Sequence, residues 1–147
     1  MQEENVLEIE KEDIKEGFTE LLVLEDIKQN HHYQILEIRE NYAKTLLKAG
    51  QGEVIDNKIT LFDGEIFSAA AFSVLAAINM KNTTILDSQM EFLQTISIED
   101  DVVFEASAAS SLSSKRHVNV KAYVREILIF EGAFSTIRLD SKSKILE

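Results

Sequence analysis

The 147-residue chain contains no cysteine and no proline, and it lacks both a basic, apolar leader and a long hydrophobic run. Without cysteine it can form neither a disulfide framework nor a thiolate metal site, so a reducing compartment is the simpler setting. Its uncharged run, residues 66–80, is shorter than the roughly 20 residues needed to cross a bilayer. We therefore expect a cytoplasmic protein that has no signal peptide and does not span a membrane.

Positive charge is also scarce, because 15 basic residues stand against 26 acidic ones and the net charge is -11. Residues 1–28 hold ten acids and three lysines, a net charge of -7, and the other 119 residues carry -4. A negative surface repels phosphate backbones and anionic lipids, so nucleic acid and membrane are poor partners. An anionic small ligand would need a local basic patch.

The length and composition indicate one globular domain with a real core. Residues 1–30 form an acidic segment in which 11–28 predict a helix, with Ile14, Phe18, Leu21 and Leu22 on one face. Residues 31–140 form the main domain. Residues 141–147 are a C-terminal tail.

Within the main domain, the pattern predicts one long strand over 35–50, a glycine-containing loop over 50–58, and a buried helix in the uncharged run. Four strands joined by short turns follow, with a turn at 113–116, and their spans are 84–96, 102–112, 117–127 and 128–139. Strands that surround a single apolar helix indicate an α+β fold with an antiparallel sheet wrapped on the helix.

Three local patterns resemble the hotdog fold, in which a curved antiparallel sheet wraps a central helix. "FDGEIFSAAAFSVLA" is similar to the glycine turn and helix of hotdog thioesterases, with Gly64 and Phe67 at matching positions. "DSQMEFLQTISIEDDVVFEAS" resembles the strand, turn and strand that follow. "SSKRHVNVKAYVREILIFEGAF" is similar to the closing hairpin, and the resemblance covers residues 35–139.

Among hotdog proteins, the chain looks nearest to the acyl-CoA-sensing domain of the bacterial fatty-acid synthesis repressor. It also resembles a hotdog virulence protein that is co-regulated with flagellar genes in invasive bacteria. The repressor carries a basic helix-turn-helix where this chain has an acidic segment of 30 residues, so the resemblance does not extend to DNA binding.

The resemblance implies a homodimer or higher oligomer that holds acyl-CoA or a related thioester between its subunits. It implies no permanently bound cofactor. The backbone N–H groups of Gly64, Glu65 and Ile66 would face the thioester carbonyl at the helix start. The implied ligand-binding residues are Phe62, Gly64, Glu65, Ile66, Phe67, Ala71, Lys115 and Arg116.

One group of hotdog thioesterases has a histidine before the helix and a catalytic acid within it. Alignment on Gly64 and Phe67 puts Phe62 and Ala71 at those two positions, so the usual catalytic pair is missing. Asp63 and Glu65 are the candidate catalytic replacements. The structural alternative makes Asp63 a helix N-cap and leaves Glu65 complementing the helix dipole.

Lys115 and Arg116 form the basic cluster of the sheet region, where the resemblance implies contact with the phosphates of coenzyme A. The alternative is a solvated hairpin turn. His117 is interpreted as an exposed strand residue. His31 and His32 lack a third ligand at metal spacing, so we expect no metal site.

Three functions follow. The chain is predicted to bind an acyl thioester in a regulatory role, without hydrolysis or with weak hydrolysis. The first alternative is an acyl-CoA thioesterase that uses Asp63 or Glu65. The second is a protein-interaction or virulence factor that docks a partner through residues 11–28.

Overall fold

The structure is a computed structural model, and it describes residues 19–139. Helix α1 (Glu25–Asn30) precedes strands β1 (Gln34–Arg39) and β2 (Tyr42–Lys48) and a 3-10 turn at Ala49–Gln51. The long helix α2 (Asp63–Ile78) comes next. Four strands complete the described part of the chain: β3 (Thr83–Phe92), β4 (Asp101–Ala108), β5 (Lys115–Val124) and β6 (Ile127–Arg138).

The six strands form one antiparallel sheet in the order β1-β2-β4-β5-β6-β3. The sheet curves around α2 without closing into a barrel, so β1 and β3 are its two edges. The predicted α+β architecture is confirmed, and so are the four strands that follow the buried helix.

Strand β5 shows how the sequence sets the two faces of the sheet. Its side chains alternate between exposed and buried along almost the whole strand, because successive residues of a strand point to opposite faces. The inward set, Val118, Val120 and Ala122, pairs with Phe134, Gly132 and Phe130 of β6. These residues form the layer of the core that packs on α2.

Helix α2 has no charge beyond its first turn because the sheet surrounds most of it. Nine of its 16 residues are buried, including Ser73, which bonds the carbonyl of Ala69 and the hydroxyl of Thr45. A stripe of partly exposed residues faces the gap between the two sheet edges: Gly64, Phe67, Ser68, Ala71 and Leu75. We call this set the open stripe.

The predicted long strand over 35–50 is wrong, because the chain turns back between β1 and β2. Asn41 adopts a left-handed conformation with φ 63°, which asparagine tolerates better than most residues. Ile38 then pairs with Ala43, and the two strands form a hairpin. The predicted turn at 113–116 ends sooner than expected, because Lys115 and Arg116 already belong to β5.

The predicted helix over 11–28 is wrong over residues 19–24, and among the described residues only its last four, 25–28, are helical. Residues 19–24 are not helical, and α1 begins at Glu25. Leu21 packs against the core while Leu22 is exposed, so the proposed apolar face is divided. Ile14 and Phe18 lie outside the described residues.

Residues 19–24 form a strap across the C-terminal end of α2. The Asn79 side chain, at the left-handed end of that helix, accepts a hydrogen bond from the Leu22 N–H (2.7 Å) and donates one to the Glu20 carbonyl (2.9 Å). The Thr19 N–H donates to the Ile38 carbonyl. These long-range bonds hold the strap against α2 and β1. They stabilise this conformation in place of the helix that the leucine spacing predicted.

Candidate functional site

The start of α2 leaves backbone donors free. Phe62 occupies the N-cap position with an extended backbone and gives no side-chain cap, so the interpretation of Asp63 as the N-cap is wrong. The Glu65 N–H donates to the Phe62 carbonyl at 2.9 Å. The N–H groups of Asp63 and Gly64 have no acceptor within residues 19–139. Such donors carry the partial positive charge of a helix start.

The Phe62 ring lies over Gly64. A Cβ atom at position 64 would stand 2.4 Å from Cε2 of that ring, so glycine is what allows the ring to pack on the backbone. The ring is also 51% exposed, so it packs on Gly64 without being locked into the core. Phe62 is therefore an apolar neighbour of the helix start.

Glu65 fastens the neighbouring loop to α2. Its carboxylate Oε2 accepts a 2.7 Å hydrogen bond from the Glu53 N–H. Gly52 packs against this side chain, because a Cβ there would meet the Glu65 Cδ at 3.2 Å. Asp63, in contrast, is exposed at the first helical position and makes no side-chain hydrogen bond with the described residues.

The open stripe continues from this entrance along the helix. Phe67 stacks on Phe134 of β6, with ring centroids 6.5 Å apart, and Ala71 follows one turn later as a half-buried residue. Ile66 points the other way and is buried. Beyond Gly64 the stripe carries no ionisable side chain. The positions implied by the resemblance thus include three that share one face: Gly64, Phe67 and Ala71.

One polar pair on this stripe was missed from the sequence. The Tyr33 hydroxyl donates a 2.8 Å hydrogen bond to Ser68 Oγ. Burial raises the pKa of Tyr33; the bond to Ser68 acts to lower it, and the Glu65 charge to raise it. Tyr33 follows a polar break at the start of the sheet, so its position in the chain gave no sign of this contact 35 residues away.

The basic cluster lies at the opposite end of α2. The Arg116 Nη2 donates to Asn41 Oδ1 at 2.6 Å and to the Ala109 carbonyl at 3.0 Å, and Arg116 lines a cavity with Ile78 and Met80. A 16-residue helix is about 24 Å long, so one subunit does not bring Arg116 to Gly64. Lys115 is exposed. His117 is an exposed strand residue, as expected, beside the Ser135 hydroxyl.

Within residues 19–139, no group of three or more histidine or acidic side chains could hold a metal ion, and both His31 and His32 are exposed. The same part of the chain has no helix that is both long and apolar enough to cross a membrane.

The curved antiparallel sheet around α2, open at one side of the helix start, defines a hotdog-fold protein. Cj0977 of Campylobacter jejuni, a sigma28-regulated virulence protein, has this structure with a TM-score of 0.77 and is 33% identical; the match covers 83% of this chain and 95% of that one. The chain belongs to the hotdog family that includes Cj0977. The predicted resemblance is confirmed.

Curated relatives match in the same region but are longer. The methylthioribose-1-phosphate isomerase of Aquifex aeolicus is 30% identical over 71% of this chain, which spans 23% of that protein. The transcription factor FapR of Staphylococcus haemolyticus is 25% identical over 68% of this chain and 54% of its own length. The chain thus spans about half or less of the curated relatives it matches. No family model matches it.

A more distant structure shares the fold. A hypothetical thioesterase from Streptococcus pneumoniae, crystallised with coenzyme A, has a TM-score of 0.66 and 13% identity, and covers 82% of this chain and 100% of its own. At that identity the likeness supports the fold alone.

Proposed function

We propose that this protein binds an acyl-CoA, or a related acyl thioester, between two subunits and acts mainly as a regulatory binder in the cytoplasm. The observation that carries the proposal is the pair of free N–H groups, at Asp63 and Gly64, beside an open stripe that has alanine at position 71. The resemblance to an acyl-CoA-sensing domain supports this ligand class, and the Streptococcus protein that shares the fold was crystallised with coenzyme A.

The chemistry of the helix start suits a thioester carbonyl. Two N–H groups without internal partners, at the positive end of a 16-residue helix, favour an oxygen that carries partial negative charge. The apolar stripe beyond them suits an acyl chain, because its burial removes apolar surface from water. Hydrolysis also needs a group that activates water, and Ala71 cannot do this.

A second subunit would complete the site. Strand β3 is ten residues long and pairs with β6 on one side, and within residues 19–139 no strand pairs with the backbone groups of its other edge. The β1 edge is shorter, and the strap contacts it through Thr19 and Ile38. We therefore propose a dimer in which the β3 edges of two subunits pair. Each subunit then covers the open stripe of the other.

Binding is tested by native mass spectrometry against a panel of acyl-CoAs of different chain length. We expect the Ala71→Leu variant to bind about tenfold or more weakly, because added methylene groups fill the space proposed for the acyl chain. Ala133→Leu makes the same change at an exposed site on β6 and should bind normally. If the unchanged protein retains no acyl-CoA at high micromolar concentration, the proposal is wrong.

The second candidate is an acyl-CoA thioesterase, and the free Asp63 carboxylate favours it. Because Glu65 is bonded to the loop at Glu53, Asp63 is the better-placed base. Release of free thiol across the same panel separates an enzyme from a binder. Turnover that falls by about 100-fold or more in Asp63→Asn but not in Glu65→Gln would assign the reaction to Asp63.

A further inference from the structure

Two adjoining cavities lie at the C-terminal end of α2, beneath the loop between β4 and β5. Their volumes are about 440 and 480 Å³. They share Ile78 and Met80 of the helix end, Ser111 and Leu112 of the loop, and Arg116 of β5. We call these two cavities together the arginine groove. It lies a helix length away from Gly64, so it is separate from the proposed thioester site.

The arginine groove is positive on an acidic protein. Its ionisable lining residues are Arg39, Arg116 and Arg138 against Glu40, a net charge of +2. Residues 19–139 as a whole hold 11 basic and 17 acidic residues, a net charge of -6. A local positive potential on such a background marks a place where an anionic group is attracted.

The three arginines differ in how many hydrogen bonds and ion pairs their side chains make within the described chain. Arg116 is 9% exposed, and its Nε and Nη2 atoms are bonded to Asn41 and Ala109, while Nη1 has no hydrogen-bond partner within the described chain. Arg39 pairs with Glu37. Arg138 is exposed and makes no side-chain hydrogen bond or ion pair within residues 19–139. Arg116 thus shapes the groove, and Arg138 offers a cation at its rim.

The arginine groove also has exposed apolar side chains. Leu112 stands fully exposed at the tip of the loop, with a relative exposure of 108%, and Met80 is 39% exposed. The hydroxyl of Thr83, which lines the groove, is buried without a partner in the described structure. An occupant that combines carboxylates with aliphatic side chains would match this lining.

The chain supplies such an occupant at the right place. Thr19 lines the groove, so residues 1–18 join the described structure at its wall. These 18 residues contain seven acids and two lysines, a net charge of -5, together with aliphatic residues such as Val6, Leu7 and Ile9. The other terminus also joins near the groove, at Leu139, but residues 140–147 carry no net charge. Charge complementarity therefore selects the N-terminal segment.

We propose that residues 1–18 dock in the arginine groove of their own chain. Docking places acidic side chains beside the arginines of the groove and covers Leu112 and Met80. It also gives the acidic segment a role within the molecule that differs from capture of a separate protein. The contact is electrostatic in part, so ionic strength tunes it: the screening length falls to about 3 Å in 1 M salt.

Disulfide trapping tests whether residues 1–18 dock in the arginine groove. The chain has no cysteine of its own, so only introduced thiols can cross-link. A full-length variant with Leu7→Cys and Leu112→Cys is compared with one carrying Leu7→Cys and Lys121→Cys, whose second site is an exposed residue of β5 on the outer face of the sheet. We expect the first pair to cross-link about tenfold faster in low salt, because docking raises the effective concentration of the two thiols. In 1 M NaCl this advantage should disappear.

A charge reversal provides the matched control. Arg138→Glu should remove the rate advantage, whereas Lys121→Glu, which makes the same change in net charge away from the groove, should leave it unchanged. Both side chains are exposed, so both variants are expected to fold, and circular dichroism checks this. Equal cross-linking rates for the two thiol pairs would overturn the proposal. So would an advantage that Arg138→Glu does not reduce, or a cross-link whose mass shows that it joins two chains.

Discussion

Replacing Phe130 by alanine is expected to lower the free energy of unfolding by about 3–5 kcal/mol, which is a large part of the stability of a single domain. Phe130 has no exposed surface, and its ring makes edge contacts with Phe92 of β3 (5.2 Å between centroids) and Phe104 of β4 (6.4 Å). It thus joins three strands of the sheet. Its removal leaves a cavity that the surrounding strands cannot close, since each is fixed by its register.

The matched control is Phe92→Ala, which removes the same ring from the edge strand. Phe92 is 43% exposed, so less apolar surface returns to water and no closed cavity forms. Urea unfolding monitored by far-ultraviolet circular dichroism measures both variants. A Phe130→Ala protein within about 1 kcal/mol of the unchanged protein would show that this ring is not central to the core.

The sequence predicted the parts of the fold in which the local residue pattern and the tertiary packing favour the same structure. The pattern predicted a strand over 117–127, which β5 largely matches, and the uncharged run predicted a helix enclosed by a sheet. The hairpin at Asn41 was missed because one asparagine between two apolar runs is a weak turn signal. The strap was missed because Leu21, Leu22 and Leu24 fit a helical pattern, while its hydrogen bonds come from Asn79, more than 50 residues away.

The helix start of the candidate site was predicted from the resemblance to hotdog thioesterases, and its polar contacts were not predicted. That resemblance assigned Gly64, Phe67 and Ala71, and their spacing along one helix places them on one face. Arg116 was placed in a turn, as a phosphate contact or as a solvated residue, and its bond to Asn41 was missed because the two residues are 75 positions apart. Contacts of this kind depend on how strands are ordered in the sheet, which local patterns do not determine.

The dimer proposal depends on which sheet edge is available. Phe67 stacks on Phe134, and Phe134 pairs with Ser88 of β3, so the part of the open stripe at Phe67 lies on the β3 side of the molecule. Ile59, Phe62, Phe67 and Leu93 are large apolar side chains that are 40% or more exposed in a single subunit. A second copy that pairs with β3 would cover such side chains, and stable interfaces of this kind bury more than about 1,200 Å² in total.

We therefore expect Phe67→Glu to convert the dimer to a monomer and to abolish acyl-CoA binding. A carboxylate in the covered stripe would be buried without a partner, which costs several kcal/mol and exceeds the loss of one aromatic contact. Light scattering should then give 16.6 kDa instead of twice that mass.

The control variant Leu36→Glu places the same charge on the β1 edge, at a side chain that is 48% exposed, and this variant should remain dimeric. If Leu36→Glu dissociates the protein and Phe67→Glu does not, the subunits pair through β1. Neither open stripe would then be covered by a partner, and the thioester site would have to lie within one subunit.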